Sequence, residues 1–203
     1  MRGNVDVAED ERRARLEAIV RADPTLMLLL RTLRSVDLPQ WRLAAGCLYQ
    51  TVWSVLSDVP RGTGIRDYDI VYFDADPSWE AEDRAIRRVG DDLKKVGFEG
   101  VAEVRNQARV HLWYEERFGA PYAALASADE ALSRYAAIVH AVAVRLGPDD
   151  RLDIAAPFGL ADLFDMVIRP NEANLAPGSY LAKAERARAI WPRLTVLPWH
   201  REG

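Results

Sequence analysis

Leu26, Leu29, Leu30 and Leu33 repeat at helical spacing and predict a helix running to about Ser35. A charged helix from about Glu9 to Arg21 precedes it across Asp23-Pro24, and Asp37-Leu38-Pro39 ends it. Trp41 to Ala45 reads as a short strand stopping at Gly46. From Cys47, the residues Leu48, Val52, Val55 and Leu56 then mark one face of a helix. The loop Asp58 to Arg66 carries Pro60, Gly62 and Gly64 and leads into a strand over Asp67–Asp74, where Ile70, Val71, Tyr72 and Phe73 are strand formers. Trp79 to Val96 predicts a charged surface helix closed by Gly97.

Val101 to Val110 is the next predicted strand, and Leu112 to Phe118 fits either its continuation or a short helix. Ser127-Ala128-Asp129-Glu130 is a capping box opening a helix that carries Leu132, Tyr135, Val139 and Val142, with a hand-over to strand near Ala141. Ala143–Leu146 and Arg151–Ala155, around Gly147-Pro148-Asp149-Asp150, predict a hairpin. Leu160, Leu163, Phe164, Val167 and Ile168 predict a helix ending before Pro170. Tyr180–Ile190 predicts a last helix, and Leu194–Leu197 an extended tail.

These elements define an α/β (α+β mixed) fold, a small mixed sheet covered by helices. Residues 1–36 are expected as a helical lead-in packed on a single unit over 37–203. The expected core includes Leu48, Val52, Ile70, Tyr72, Val104, Leu163 and Phe164. A hydrophobic fraction of 49% over 203 residues suits such a core. The net charge of −4 carries no global basic footprint, which argues against nucleic acid as a partner while leaving room for a local arginine groove. The single Cys47 excludes an internal disulfide and fits a cytoplasmic setting. No segment reaches the roughly 18 apolar residues of a membrane span, and Met1 to Arg15 lacks the apolar centre of a secretion signal.

The chemistry concentrates in Asp67 and Asp69, two apart at the head of an apolar strand. Both project to one face, where like charges repel unless a cation or a proton joins them. Mg²⁺ (or Mn²⁺) is the natural partner of paired aspartate oxygens, with phosphates completing its shell. The turn at Gly46-Cys47 opens a helix, and the backbone N–H groups there form an anion site. Along the third strand, Glu103, Arg105, Gln107, Arg109 and His111 share one face, a carboxylate followed by cations suited to metal and polyphosphate. Each piece alone has a plainer explanation: a turn aspartate, a tight strand–helix junction, a solvated polar face. A structural, hydrogen-bonded His111 is as well supported as a catalytic one. Asp74 and Asp76 read as turn residues, and His140 and His200 as structural or solvated.

Taken in order, the Gly turn, the Asp-x-Asp strand and a carboxylate on a further strand resemble polymerase-beta-like nucleotidyltransferases. More narrowly, the chain resembles a bacterial nucleotidyltransferase-like family through Ala45-Gly46-Cys47-Leu48-Tyr49-Gln50-Thr51-Val52-Trp53, Arg66-Asp67-Tyr68-Asp69-Ile70-Val71-Tyr72-Phe73-Asp74 and Glu103-Val104-Arg105-Asn106-Gln107-Ala108-Arg109-Val110-His111-Leu112-Trp113-Tyr114. Ala156-Pro157-Phe158-Gly159-Leu160-Ala161-Asp162-Leu163-Phe164 and Arg169-Pro170-Asn171 match as well, so the resemblance spans about Leu38 to Pro198.

It implies transfer of a nucleoside monophosphate from an NTP to an acceptor. Asp67, Asp69 and Glu103 would serve as metal and catalytic residues. Gly46, Cys47, Arg105, Gln107, Arg109 and His111 would bind the nucleotide and its phosphates. The choice of NTP, the acceptor and the oligomeric state are left open. Two departures stand out: Cys47 replaces the Gly or Ser of the wider group, and Tyr49-Gln50 replaces an Arg-Asn common in the family. They support an alternative, an inactive nucleotide-binding or protein-interaction module on the same fold. Aspartyl phosphatases are disfavoured, because their Asp pair follows its apolar strand, whereas here the apolar residues follow Asp67.

Overall fold

The structure is a computed structural model that describes residues 2–199, with side chains from Val7 onward. Five strands form one mixed sheet in the order β3-β2-β1-β4-β5. They are β1 (Arg42–Ala44), β2 (Tyr68–Tyr72), β3 (Ala102–Asn106), β4 (Ala143–Leu146) and β5 (Leu152–Ala155). β1 lies antiparallel to both β2 and β4, β4 and β5 form the expected hairpin, and β2 and β3 run parallel. The α/β expectation of a small mixed sheet under helices holds.

One sheet face is apolar. Leu43, Ile70, Tyr72, Val104, Val144 and Leu146 bury it against α1 (Arg2–Arg21), α2 (Pro24–Val36), α3 (Gly46–Leu56) and α4 (Trp79–Lys95). The expected core residues Leu48, Val52, Ile70, Tyr72, Val104 and Leu163 are all buried in this layer, and Phe164 packs partly buried at its edge. Local signals place the helices. The Asp23 carboxylate accepts the N–H groups of Thr25 and Leu26, both at 3.0 Å, ahead of Pro24 in the first turn of α2. Ser78 caps α4, which carries Glu80 and Glu82 in its first turn and Lys94 and Lys95 in its last.

Three expectations are corrected. The strand over Val101–Val110 stops at Asn106, and residues Gln107–Leu112 form a 3₁₀ helix. The Asn106 side chain stops it. Its amide oxygen accepts from Ala108 N–H at 3.1 Å and Asp74 N–H at 3.0 Å, while its amide nitrogen donates to the Asp74 carbonyl at 2.9 Å. Ser127 caps as expected, with the Glu130 N–H donating to its Oγ at 3.0 Å, while the Glu130 carboxylate accepts from Ala126 N–H at 2.8 Å, yet α6 covers only Ala128–Leu132. Beyond it, Asn171 Nδ2 donates to the carbonyls of Ser133 (2.7 Å) and Tyr135 (2.8 Å), and Asn174 Nδ2 to that of Arg134 (2.8 Å). Those carbonyls are the acceptors a longer helix needs, so the chain turns instead.

The stripe from Leu160 to Ile168 is likewise split. α7 spans Ala161–Phe164, Met166 adopts φ 53°, and β6 (Val167–Ile168) pairs in parallel with β7 (Thr195–Val196). Short helix α5 (Tyr114–Phe118) and the closing helix α8 (Pro177–Ile190) complete the fold.

Candidate active site

The second face of the sheet carries small apolar residues beside its acidic ones. Ala44, Val71, Leu132, Ala141 and Ala143 form a thin buried patch, bordered by Tyr135 and Ala155. Asp69 sits on this face with Ala44 of β1 on one side and Glu103 of β3 on the other, by strand register. Directly paired residues of neighbouring strands present their side chains to the same face. Asp67 stands just ahead of β2, near enough for its charge to act on Asp69, so Asp67, Asp69 and Glu103 come to one corner.

Their charges meet there. The Asp69 carboxyl is pushed up to about 6, first by burial and then by Asp67, with Glu103 adding to it. Lys183 of α8 and the Gly46 N–H at the start of α3 oppose that shift. The N-terminus of α3 therefore points at the carboxylates, as the Gly turn suggests. Ala45 caps it with φ 56° and ψ −117°, a backbone region at ease only for glycine. Cys47 in the first turn is fully buried, and its Sγ contacts the Ala44 carbonyl at 3.5 Å. Burial raises its thiol pKa well above the ordinary value, with Asp69 adding to the effect. Its side chain packs inside the protein.

Among the described residues no group of three His, Cys, Asp or Glu closes around an ion. The donor set nevertheless suits Mg²⁺, which takes one or two carboxylates and completes its shell with water and substrate phosphates rather than with a protein cage. Asp67 and Asp69 would supply those hard oxygens.

The arginine row is dispersed. Arg105 stays on the Glu103 face and pairs with Glu103 at 3.0 Å. Arg109 turns away in the 3₁₀ helix, where it pairs with buried Glu82 at 3.0 Å and lies 5.7 Å over the Trp79 ring. Glu82 also accepts the Asn106 N–H at 2.8 Å, so Arg109 belongs to a structural knot. Gln107 is buried and donates to the Arg105 carbonyl at 3.2 Å. His111 has a buried Nδ1 with no partner among the described residues. The one-face arrangement of Glu103 through His111 is thus overturned beyond Arg105, because Asn106 bends the chain.

Asp74 and Asp76 are turn residues, accepting the N–H groups of Asp76 (3.0 Å) and Ser78 (2.9 Å). His140 is buried beside the Tyr49 ring at 5.2 Å, and His200 lies outside the described residues. Lys183 and Arg186 escaped the sequence reading, since exposed basic residues on a helix ordinarily face water. The available signal was their position beside the buried stripe Tyr180, Ala184, Ala187.

A mixed sheet with carboxylates on two parallel strands, facing the N-terminus of a helix, is a nucleotidyltransferase arrangement. The chain belongs to a family described as Nucleotidyltransferase, whose model matches residues 31–196. NTP-dependent nucleotidyl transfer is its general activity. Among solved structures, it is similar to a protein whose NMR structure reveals a CCA-adding enzyme head domain. The two share 25% identity and a TM-score of 0.71, over 91% of this chain and 94% of that one.

A tRNA-processing enzyme in an apo form matches at 19% identity and TM-score 0.46, over 83% of this chain and 44% of its own. A CCA-adding enzyme in complex with CTP matches at 18% and 0.43, over 78% and 35%. The chain spans less than half the length of these two. Among curated proteins none is significantly similar. Among the described residues no helix is long and apolar enough to cross a membrane.

Proposed function

We propose that the protein transfers a nucleoside monophosphate from an NTP to an acceptor hydroxyl at the corner formed by Asp67, Asp69 and Glu103. The observation that carries this reading is Asp69. It stands beside Glu103, near Asp67 and under the α3 N-terminus, with a carboxyl pushed up to about 6. Such crowding of acid groups on a half-buried face costs stability, and a divalent cation offsets it.

Asp67 and Asp69 would hold Mg²⁺ (or Mn²⁺). Bound there, the ion would supply neutralisation of the phosphates and polarisation of the attacking hydroxyl. The chain's own groups do the positioning. The N–H groups opening α3 hold phosphate oxygens along the helix dipole. Glu103, steadied by Arg105 at 3.0 Å, orients the acceptor beside Asp69.

The test is pyrophosphate release from each of the four NTPs with Mg²⁺, across a panel of hydroxyl acceptors. Wild type is expected to turn over at least one NTP, and Asp69→Asn to lose at least about a hundredfold. An Asp69→Asn variant as active as wild type overturns the site.

A second reading, an inactive nucleotide-binding module, is favoured by one observation: the Glu103–Arg105 pair already occupies the third carboxylate. Thermal stabilisation by Mg²⁺ and ATP, with no pyrophosphate from any acceptor, would select it.

A further inference from the structure

The family-like sequence pattern assigns the triphosphate to arginines of the third strand, yet the structure commits those arginines elsewhere. Arg105 is paired with Glu103 and Arg109 with Glu82. Arg42, on the same open face as Asp69, is held by Asp129 and by Asp153 at 3.0 Å. Cations already neutralised by carboxylates are poor partners for a polyphosphate.

α8 supplies cations that are not committed. Its buried stripe, Tyr180, Ala184, Ala187 and Trp191, seats it against the body of the protein. Trp191 packs edge-on to Trp53 of α3 with centroids 5.9 Å apart, and Tyr180 Oη donates to the Ile168 carbonyl at 3.1 Å. Ile190 reaches the loop before Asp67, where a Cβ on Gly64 would lie 3.4 Å from its Cδ1.

The order of neighbours is the same along both helices. Trp191 meets Trp53, the Arg186 charge acts on Tyr49, and the Lys183 charge acts on Asp69 beside Gly46. Eight residues separate Lys183 from Trp191 and seven separate Gly46 from Trp53. At about 1.5 Å per residue, the Lys183 turn comes level with the start of α3. Both residues are exposed as a whole, although the Lys183 ammonium is shielded enough for burial to lower its pKa, and among the described residues neither makes an ion pair within 4.0 Å. Burial lowers the Lys183 pKa while the charges of Asp69, Asp67 and Glu103 raise it, and the Arg186 charge acts on Tyr49 and His140. His140 has no hydrogen-bond partner on either ring nitrogen among the described residues, and burial keeps it neutral.

From this placement we infer that Lys183 and Arg186 of α8 bind the polyphosphate of the nucleotide, next to the N–H groups of α3. The inference rests on the nucleotidyltransferase reading for the identity of the ligand, but its ligand chemistry, a linear polyphosphate, can be tested without turnover. Lys183 lies nearer the carboxylates and takes the phosphate closest to the metal, and Arg186 takes the distal end with bidentate geometry.

The experiment is calorimetric titration of the metal-free full chain with inorganic tripolyphosphate, at low salt and then at raised salt. Wild type is expected to bind, with affinity falling as salt rises. Lys183→Gln and Arg186→Gln are each expected to weaken binding at least about tenfold, while Lys183→Arg restores most of it. Both positions are exposed, so melting temperature serves as the folding control. Asp69→Asn is expected to keep or tighten tripolyphosphate binding, because it removes a negative charge beside the site.

Wild type that binds no tripolyphosphate overturns the inference, as does a folded Lys183→Gln, Arg186→Gln double variant that binds as wild type does. Loss of binding in the double variant alongside an absence of NTP turnover supports the clamp and counts against the catalytic reading alone.

Discussion

Asp69 of β2 and Glu103 of β3 are register partners across the parallel pair, so two carboxylates stand side by side on the open face of the sheet. The neighbouring strand also sets the fully buried Ala44 against Asp69. The linkage to pH has a definite sign. The Asp69 carboxyl titrates at about 6 when folded and near 3.8 in a model peptide. Between those values the folded protein holds the extra proton, so stability is greatest below about pH 4 and declines as pH rises to about 6. At about 1.4 kcal/mol per pKa unit, tempered by partial solvent access, the loss is on the order of 1–3 kcal/mol. Urea unfolding in EDTA from pH 4 to pH 7 is expected to show this decline, and Asp69→Asn to flatten it and raise stability at pH 7. A variant less stable than wild type in EDTA would mean that Asp69 is held by structural hydrogen bonds instead.

Arg109 separates a structural from a phosphate-binding role. It pairs with Glu82, whose side chain is 5% exposed, and its removal leaves that carboxylate buried without a counter-charge. Arg109→Gln is expected to cost about 3–5 kcal/mol of stability. The surviving folded fraction should bind tripolyphosphate as tightly as wild type. Weakened polyphosphate binding at unchanged stability would return Arg109 to the site.

The contrast between these two positions shows what the sequence could convey. Asp67 and Asp69 were legible because a period of two relative to Ile70 and Tyr72 fixes which face they occupy, and that information is entirely local. The bend at Asn106 was not. It depends on Glu82 and Asp74, 24 and 32 residues away, converging on one amide side chain. The same holds for the end of α6, which is decided by Asn171 and Asn174. Period-based reading extended Leu132, Tyr135 and Val139 into one helix because it cannot see acceptors being claimed from outside. The split at Met166 hid for a related reason: Leu163 and Ile168 are both buried, in a helix and a strand respectively, so burial alone gave one continuous stripe. Lys183 and Arg186 carry only the faint signature of standing beside the buried stripe of α8, because their meaning comes from the docking of α8 on α3.

Asn171 offers a direct check on that explanation. Its Nδ2 holds two carbonyls at 2.7 and 2.8 Å, and its Oδ1 accepts from Ala173 N–H at 3.1 Å, within a residue that is 3% exposed. Asn171→Ala is expected to cost about 1–3 kcal/mol, since two half-buried acceptors lose their donor. Asn171→Asp should be at least as damaging near neutral pH, because a carboxylate in place of the amide faces those same carbonyls. Equilibrium unfolding measures both, and hydrogen exchange should show faster opening around Ser133–Tyr135. An Asn171→Asp variant as stable as wild type would remove the amide donor from the account.

Ala45 tests whether the start of α3 is strained. With φ 56° and ψ −117° it occupies a conformation that costs a residue bearing a Cβ about 1–3 kcal/mol, next to the Gly46 N–H that faces Asp69. Ala45→Gly relieves that strain while losing about 0.8 kcal/mol of methyl burial and up to about 1 kcal/mol to backbone entropy. The balance places Ala45→Gly between about 1 kcal/mol below wild-type stability and about 2 kcal/mol above it. Ala44 is the control: it is fully buried in β1, one residue earlier, with no positive φ. Ala44→Gly has no strain to relieve and is expected to cost about 1–2 kcal/mol. Denaturation curves of the two variants, measured side by side, should therefore diverge. Equal losses would show that Ala45 is unstrained and that the α3 entrance is held by packing alone.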